Sequence, residues 1–466
     1  MKNISDDLKI KILPWLVTIA MFMQMLDGSV LNTALPAIAK SFGENPLQMQ
    51  AVVIAYMLSV AIFLPISGWL ADRFGVQKIF TVAVAGFTLG SLLCALSSSL
   101  NQLTLSRIVQ GMGGALLVPV GRLAVLRVYP RSQFVKVLSF IVLPALIGPL
   151  IGPSVGGLLV QYATWHWIFL INIPIGIACI AAIFFFMPAV KAAAAQKFDW
   201  IGFFLFDSAV LLLFIFSLLY TKLYVLLIAV ILILLYCLHA INNKNALFNL
   251  KMFKVRSCSV GTAGNFFARI GGGSMPFLAP LFLQTALGYN PAQSGLMLLP
   301  MGIMAIFAKS IVNSAIIKLG YRKFLLINTF LLGSFIIMLS LITPSSSVYE
   351  ILAVFSLFGM SNSLQFTAIN TLSLIDLPDS MISGGNAVMS VVMQVSMAMG
   401  VAVGAFLLAY IGRLQAEIRG AVNILQTFHA TYIIIGAVSV LSMLVFIFIP
   451  DDAGTEIKDI SVKVQS

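Results

Sequence analysis

Charged residues are scarce in this chain of 466 residues. Asp, Glu, Lys and Arg make up 9% of it, whereas hydrophobic residues make up 60% and the mean hydropathy is +1.05. A soluble domain carries about 25% charged residues, so this chain cannot cover itself with a polar surface. The composition excludes a soluble globular protein and predicts a polytopic membrane protein.

Cysteine and histidine are also scarce, which argues against disulfide and metal chemistry. The four cysteines show no CxxC spacing, and the three histidines have no acidic neighbours at ligand spacing. We therefore expect neither a metal site nor a cofactor. The sequence offers no nucleophile–base pair and no repeated ring of charges, so an enzyme is not expected and an ion channel is the weakest alternative.

The net charge of +12 does not indicate nucleic-acid binding, because the cations are unevenly distributed. When the apolar runs are taken as alternating membrane crossings, most of the 27 Lys and Arg residues fall on one side. By the positive-inside rule that side is the cytoplasm, and it holds both termini. The expected partner is the lipid bilayer, and no nucleic acid is expected.

Long apolar runs supply the crossings. A helix that crosses hydrocarbon needs about 20 apolar residues, and the sequence offers fourteen such runs. The first is too long for a cleaved signal peptide and should remain as helix 1. The predicted fold class is an all-α polytopic membrane protein with 14 transmembrane helices. The predicted spans are 13–37, 47–71, 78–98, 102–127, 136–161, 165–187, 200–220, 223–241, 257–286, 292–317, 322–343, 348–374, 382–411 and 427–449.

The chain also repeats itself. Shifts of 245 and 248 positions align packing and boundary residues in the same order, which favours a duplicated six-helix half. Spans 7 and 8 have no counterpart and form an inserted hairpin, which gives a 6+2+6 arrangement. We expect an N-terminal half over 1–191, the hairpin with its linkers over 192–255, a C-terminal half over 256–449 and a cytoplasmic tail over 450–466. The aligned pairs are Phe22 and Phe267, Ser29 and Ser274, Gly43 and Gly288, Gly75 and Gly320, Gly111 and Gly359, Pro130 and Pro378, Gly152 and Gly400, and Gly156 and Gly404.

Three ionisable residues inside the spans are candidates for proton coupling, namely Asp27, Arg107 and Asp207. Burial of Asp27 favours its neutral form, which suits reversible protonation; a permanent ion pair or helix packing is the alternative. Arg107 stays charged and needs a buried acceptor, for which Asp27 is the best candidate, directly or through water. Protonation of Asp27 would then release Arg107. Asp207 is either a second proton site or a polar contact that anchors the hairpin.

Two glycine-rich strings are candidates for gating. The short charged string Gly68–Lys78 predicts two tightly connected antiparallel helices with charges at the water interface; an ordinary basic loop is the alternative. In its second copy Ile317 replaces Asp72, so the acid is lost. The string Gly148–Gly157 predicts a kinked helix with a smooth face for sliding contact, or packing alone. The candidate gating residues are Gly68, Asp72, Arg73, Gly75, Lys78, Gly148, Pro149, Gly152, Pro153, Gly156 and Gly157.

Polar residues inside the spans are candidates for substrate binding. Arg269 and Lys309 lie in the second half without matching acids, which suggests that this half holds an anionic group; pairing with backbone carbonyls or with Asp27 is the alternative. The amides could bind a polar ligand or merely join helices. The candidate substrate-binding residues are Gln24, Asn32, Arg269, Lys309, Gln365 and Gln394.

Several strings of the sequence, including the two glycine-rich strings just described, carry a family resemblance. Three of them look like the diagnostic motifs of the major facilitator superfamily: Gly68–Lys78, Arg107–Ala115 and Gly148–Gly157. The chain is similar to the fourteen-helix drug:proton antiporters of the EmrB/QacA type in its fourteen spans and in the strings Leu26–Pro36 and Trp165–Gly176. It looks closest to the MdtD-like group through Val118–Leu123 and Arg269–Gly271.

The resemblance implies a major facilitator fold and proton-driven efflux by alternating access, with Asp27 and Arg107 as coupling residues. It also implies a bacterial inner-membrane location, a small-molecule cargo, protons as the coupling ion and a monomer that could work with accessory efflux proteins. The family favours drugs as cargo. The intramembrane charges instead favour an anionic metabolite, such as a carboxylate siderophore or metal-citrate chelate.

Overall fold

The computed structural model describes residues 6–130, 133–188, 197–219, 223–243 and 246–450. These residues are predominantly helical and include no β-strand. The predicted tail from 451 onward and linker residues 192–196 lie outside them. The α-helices are α1 (Asp6–Phe42), α2 (Gln50–Phe63), α3 (Ser67–Phe74), α4 (Val76–Ala95), α5 (Leu100–Val128), α6 (Phe134–Tyr162), α7 (Trp167–Leu170), α8 (Asn172–Phe186), α9 (Trp200–Leu219), α10 (Leu223–Asn242), α11 (Arg256–Leu281), α12 (Pro291–Met297), α13 (Leu299–Met338), α14 (Val348–Ile375), α15 (Asp379–Arg419) and α16 (Ile424–Leu441). Short 3₁₀ segments at Pro46–Met49, Leu250–Lys254, Leu339–Leu341 and Ser442–Phe448 and a π-helical turn at Phe282–Ala286 extend or join them.

The predicted fourteen-helix architecture is confirmed. Eleven helical segments in the described residues are long and apolar enough to cross a membrane, judged by length and composition. One of them, Pro291–Leu341, contains two predicted spans. Gly320 divides them, because its backbone leaves helical geometry at φ 74 and ψ 158. The apolar helices α6 and α9 account for the remaining two spans.

Span 2 differs from its prediction, because it is interrupted within 47–71. Helix α2 ends at Phe63 and α3 begins at Ser67. Pro65 lies between them and lacks an N–H group, so it cannot donate the hydrogen bond that would continue the helix. The break therefore has a local cause that the sequence already contains.

The chain divides into two compact units. The first contains Met1–Phe203 and Tyr289–Leu296, and the second contains Phe204–Gly288 and Met297–Ser466. Tyr289–Leu296 joins the first unit, where Ser154 Oγ on α6 donates a hydrogen bond to Gly295 O at 3.0 Å. The separate hairpin domain over 192–255 stays a prediction.

Two pairs of glycines show the duplication in the backbone. Gly43 and Gly288 have φ values of 70° and 77°, and Gly75 and Gly320 have φ values of 93° and 74°. Positive φ is strained for residues with a side chain, so glycine is needed at each of these turns. The turns therefore recur at the positions that the 245-residue shift aligns.

Close helix contacts recur as well. A methyl group at Gly111 would come within 2.8 Å of Tyr56 O, and one at Gly359 would overlap Met301 O. Tyr56 and Met301 are themselves 245 positions apart. Helices α2 and α5 of the first unit, and α13 and α14 of the second, therefore meet closely at aligned glycines.

Packing in the first unit brings α1 against α6 and α4 against α5. The α4–α5 approach is close, since a side chain at Gly90 would overlap the backbone of Gln110. Buried residues such as Phe80, Phe87 and Leu117 fill the core between these helices. This contact determines which residues of α4 and α5 lie beside Asp27.

Candidate functional site

A buried ion pair joins α1 to α5. Arg107 Nη1 donates to Asp27 Oδ2 at 2.5 Å, and each residue is only 1% exposed. Neither charge could be buried alone without a large desolvation cost, so each stabilises the other. Of the direct and the water-mediated pairing that the sequence leaves open, the structure shows the direct contact.

Gln110 bridges the two charges. It lies three residues after Arg107 on α5, so both side chains project from the same face of the helix. Its Oε1 accepts a hydrogen bond from Arg107 Nη1 at 2.5 Å, and its Nε2 donates to Asp27 Oδ1 at 2.8 Å and to Ser91 Oγ on α4 at 2.8 Å. The amide is fully buried. Its two ends therefore contact opposite members of the ion pair.

Asn172, the first residue of α8, completes the surroundings of the carboxylate. Its Nδ2 donates to Asp27 Oδ1 at 3.1 Å and contacts Ser91 Oγ at 3.4 Å. Asp27 thus accepts hydrogen bonds from Arg107, Gln110 and Asn172. Three donors around one buried carboxylate stabilise its charged form.

An aromatic ring supports the guanidinium from its other side. The Arg107 guanidinium carbon lies 4.1 Å from the centre of the Tyr56 ring on α2. A cation–π contact of this kind is worth about 2 kcal/mol when desolvated. Arg107 Nε is buried without a hydrogen-bond partner in the described residues. Arg107 therefore has a second favourable contact beside its acceptor.

Four residues of this site were not singled out by sequence reasoning. Gln110 and Asn172 lie within the motif strings, and a lone amide in an apolar helix near an ionisable residue is the signal that could have found them. Ser91 and Tyr56 carried no such signal, because serine and tyrosine occur widely in membrane helices. We call Asp27, Arg107, Gln110 and the residues that contact them the α1–α5 ionic cluster.

The charged string Gly68–Lys78 forms the tight connection that its sequence predicts. One residue, Gly75, separates α3 from α4. Asp72 forms an ion pair with Arg127 on α5, and their side chains are 38% and 19% exposed. Arg73 packs over the Trp69 ring at 5.3 Å, and Lys78 is exposed. The sequence does not indicate a partner for Asp72, so the pairing with Arg127 is seen only in the structure.

Three glycines of the string Gly148–Gly157 face the helix that carries Asp27, and the fourth, Gly157, faces Pro291. A methyl group at Gly148 would come within 2.9 Å of Leu26 N, and side chains at Gly152 and Gly156 would overlap Ser29 and Val30 O. Helix α6 continues unbroken through Pro149 and Pro153. The predicted smooth face is present and packs on α1; its role in gating stays a prediction.

Arg269 on α11 lacks an acidic partner in the described residues. Its Nε donates to Asn265 Oδ1, its guanidinium carbon lies 4.3 Å from the centre of the Phe366 ring, and its Nη2 is buried without a hydrogen-bond partner. Lys309 on α13 is half-buried. The second unit therefore contains a guanidinium with unused donor capacity.

The amide candidates differ in availability. Gln365 accepts from Asn328 at 2.7 Å and donates to Thr329 at 2.7 Å, so it joins α14 to α13. Asn32 donates to Gly28 O within its own helix at 3.1 Å, and Gln24 is buried near Tyr56. Gln394 is partly exposed. Of the two predicted roles, Gln365 shows the helix-joining one.

Asp207 lies on the buried face of α9, on the same side as Val210 and Phe214. It is 8% exposed, and neither carboxyl oxygen has a hydrogen-bond partner in the described residues. A polar anchor would show such a bond. The geometry therefore disfavours the anchoring role.

Comparison with known proteins places these features in one family. The model of the Major Facilitator Superfamily matches residues 17–401 and 261–463. Proteins named putative multidrug resistance protein MdtD, from Escherichia fergusonii and from Escherichia coli K12, are each 44% identical over 449 residues, which cover 94% of this chain and 94% of theirs.

Solved structures show the same fold at low sequence identity. The POT family transporter PepTSo gives a TM-score of 0.71 at 11% identity, covering 97% of this chain and 99% of that one. A D-xylose–proton symporter gives a TM-score of 0.68 at 14% identity, covering 96% of this chain and 99% of that one.

Proposed function

Since this chain belongs to the major facilitator superfamily, and within it to the MdtD-like group, we propose that it is a proton-coupled exporter of small molecules working by alternating access. It is a polytopic membrane transporter rather than an enzyme. The inner membrane of a bacterium, with both termini in the cytoplasm, is the proposed location. We propose a monomer that could work with accessory efflux proteins.

The observation that carries the coupling mechanism is the buried contact between Asp27 and Arg107. A proton from the periplasm neutralises Asp27 and removes the charge that holds Arg107. Because Arg107 remains charged at all physiological pH values, it must then move to another favourable contact. Loss of the proton to the cytoplasm restores the pair, so each cycle carries a proton inward.

Lipophilic drugs are the proposed cargo, on the basis of the multidrug resistance name of the 44% identical relatives. The test uses proteoliposomes with an imposed pH gradient and ethidium as the fluorescent probe. Asp27→Asn should abolish gradient-driven ethidium movement, whereas Glu417→Gln at an exposed site on α15 should leave it unchanged. Full activity of Asp27→Asn contradicts the coupling role, and an inactive wild type contradicts the drug cargo.

An anionic metabolite is the second candidate cargo, and Arg269 is the observation that favours it. Its buried Nη2 has no partner, and a carboxylate is the group a guanidinium binds best. Arg269→Gln should reduce export of a labelled ferric citrate chelate while ethidium export continues, and Arg413→Gln at a peripheral position serves as the control. Equal effects on both probes would contradict selective anion binding.

Asp207 is proposed as a second proton site, because its buried carboxyl group lacks the partners that would stabilise its charge. Asp207→Asn should lower the number of protons moved per ethidium without preventing assembly in the membrane. The measurement compares proton flux and ethidium flux in the same vesicles. An unchanged ratio would remove Asp207 from the coupling scheme.

A further inference from the structure

The hydrogen-bond partners of Asp27 in the described residues are all donors, and none of them offers an acceptor. Arg107 Nη1 contacts Oδ2, while Gln110 Nε2 and Asn172 Nδ2 contact Oδ1. A carboxylate needs only donors, but a protonated carboxyl group must itself donate its O–H to an acceptor. In a buried site an O–H without an acceptor costs about 1–3 kcal/mol. The cluster as it stands therefore suits only the charged form of Asp27.

Gln110 holds the acceptor that the protonated form needs. Its Oε1 belongs to the same amide group that contacts Asp27 through Nε2, and it now faces Arg107 Nη1 at 2.5 Å and Cys94 Sγ at 3.7 Å. The terminal torsion of a glutamine is broad and roughly two-fold, so a half-turn exchanges the oxygen and the nitrogen with little change in shape. After that turn, Oε1 faces Asp27 and Ser91, and Nε2 faces Arg107 and Cys94.

The hydrogen bonds around the carboxyl group can be accounted for after the turn. The Asp27 O–H donates to Gln110 Oε1. The Ser91 hydroxyl, which now donates to Phe87 O at 2.9 Å, can donate to that same oxygen instead. The Cys94 sulfur becomes a weak acceptor for Nε2. The protonated carboxyl group is therefore satisfied by residues that already touch one another, whereas Arg107 is not.

The turn has a direct consequence for Arg107. Its Nη1 loses the Gln110 acceptor at the moment when Asp27 loses its charge, and it then faces an N–H donor. The Tyr56 ring, 4.1 Å away, remains as the favourable contact for the guanidinium. The ionisable groups around Arg107 are Asp27, Cys94 and Tyr56, so the carboxyl group supplies its nearest negative charge.

We propose that Gln110 is a positioning residue that inverts its side-chain amide when Asp27 takes up a proton and thereby drives Arg107 off the carboxyl group. This rests on the proposed proton coupling at Asp27. Asn172 could also offer an oxygen to Asp27, but it makes no hydrogen bond to Arg107 in the described residues. Among the described residues, the Gln110 amide alone makes hydrogen bonds to both Asp27 and Arg107, so this amide transmits the protonation of Asp27 to Arg107.

The test follows both partners in the full chain, purified into lipid nanodiscs, with no cargo added. Infrared difference spectra report protonation of Asp27 as the carboxyl band that Asp27→Asn removes. Nitrogen NMR of labelled arginine reports release of Arg107 as the signal that Arg107→Lys removes. Acidification of the wild type should change both signals together.

Gln110→Met keeps the approximate shape and removes the amide. We expect the Asp27 band to titrate still, while the fraction of Arg107 released on protonation falls about tenfold, within the usual range of coupling between sites. Gln365→Met is the matched control, since it removes a buried bridging amide between α13 and α14 and should leave both signals as in the wild type. If Gln110→Met does not fold, Gln110→Glu serves instead. Both oxygens of the introduced carboxylate are acceptors, so it can accept a hydrogen bond from the Asp27 O–H and still hold Arg107 without a half-turn. Arg107 should then stay in place when Asp27 is protonated.

The outcomes separate the two levels of the proposal. Wild-type coupling in both Gln110 variants, or its loss in Asn172→Leu alone, overturns the role of Gln110 while proton coupling at Asp27 stands. A wild type without any band that Asp27→Asn removes overturns the proposed coupling itself.

Discussion

Removing one member of the Asp27–Arg107 pair should destabilise the protein strongly. Both residues are 1% exposed and their contacting atoms are 2.5 Å apart. Breaking a buried pair costs about 3–5 kcal/mol, because the remaining charge is left without a partner. Asp27→Asn and Arg107→Met should each lose about this much free energy of unfolding. The double variant leaves no charge behind, so it should lose no more than either single variant.

The two single variants should respond differently to pH. Arg107→Met leaves a carboxyl group, which can become neutral by taking up a proton. Asp27→Asn leaves a guanidinium, which cannot lose its proton in this range. The destabilisation by Arg107→Met should therefore shrink as the pH falls, whereas that by Asp27→Asn should persist.

The assay is denaturation by SDS in mixed micelles, followed by tryptophan fluorescence at several pH values. The Asp72–Arg127 pair is the control, because its side chains are 38% and 19% exposed. Ion pairs at exposed positions contribute about 0–1 kcal/mol, so Asp72→Asn should have a small effect. Equal losses at the two pairs, or a double variant that is worse than both singles, would refute the account of the α1–α5 ionic cluster.

Three further predictions concern packing and gating. Gly156→Ala should cost about 1–3 kcal/mol by overlap with a carbonyl of α1, whereas Gly28→Ala has open space and should change the denaturation midpoint little. Asp72→Asn should slow ethidium turnover in stopped-flow measurements while the Asp27 infrared band titrates as before; unaltered turnover would contradict a gating role. Gln365→Leu should cost about 1–3 kcal/mol, and an altered pH profile of transport would show that its role is not merely to join helices.

Asp27 could be identified as the best partner of Arg107 because lone charges in apolar helices have few alternatives, but their direct contact could not be predicted. An acid in one span and a base in another satisfy each other at lower cost than either does alone. The turns at Gly75 and Gly320 were predictable for a similar reason, since the aligned glycines mark backbone that other residues adopt with strain. In both cases a single requirement, a partner for a buried charge or a glycine at a positive φ, is enough to make the prediction.

The partners of Asp27 beyond Arg107 depend on helix register, which no local pattern determines. Ser91 reaches Gln110 because Gly90 lets α4 approach α5. Asn172 reaches the carboxylate because α8 begins at that residue. Each contact needs the relative positions of two helices, and those positions follow from the packing of many side chains together.

The two units share a scaffold but not its charges. At the positions that the repeat aligns with Asp27, Arg107 and Gln110, the second unit has Gly272, Phe355 and Phe358. Phe355 and Phe358 are fully buried, so an apolar core occupies the place of the bridge between the two charges. The aligned counterparts of Asp72 and Arg127 are Ile317 and Ile375.

The aligned positions therefore lack both members of each ion pair, and neither keeps one member alone. This follows from the energetics, because a charge left alone in the membrane interior costs several kcal/mol, whereas two apolar residues of suitable shape cost little. A half that has lost its acid must also lose the matching base, unless something else supplies the negative charge. Arg269 is an exception in the second unit, since its guanidinium is held by Asn265 and Phe366 without an acid in the described residues. By the same reasoning, the missing negative charge would come from the cargo, which is why Arg269→Gln is the substitution that should separate anionic from cationic export.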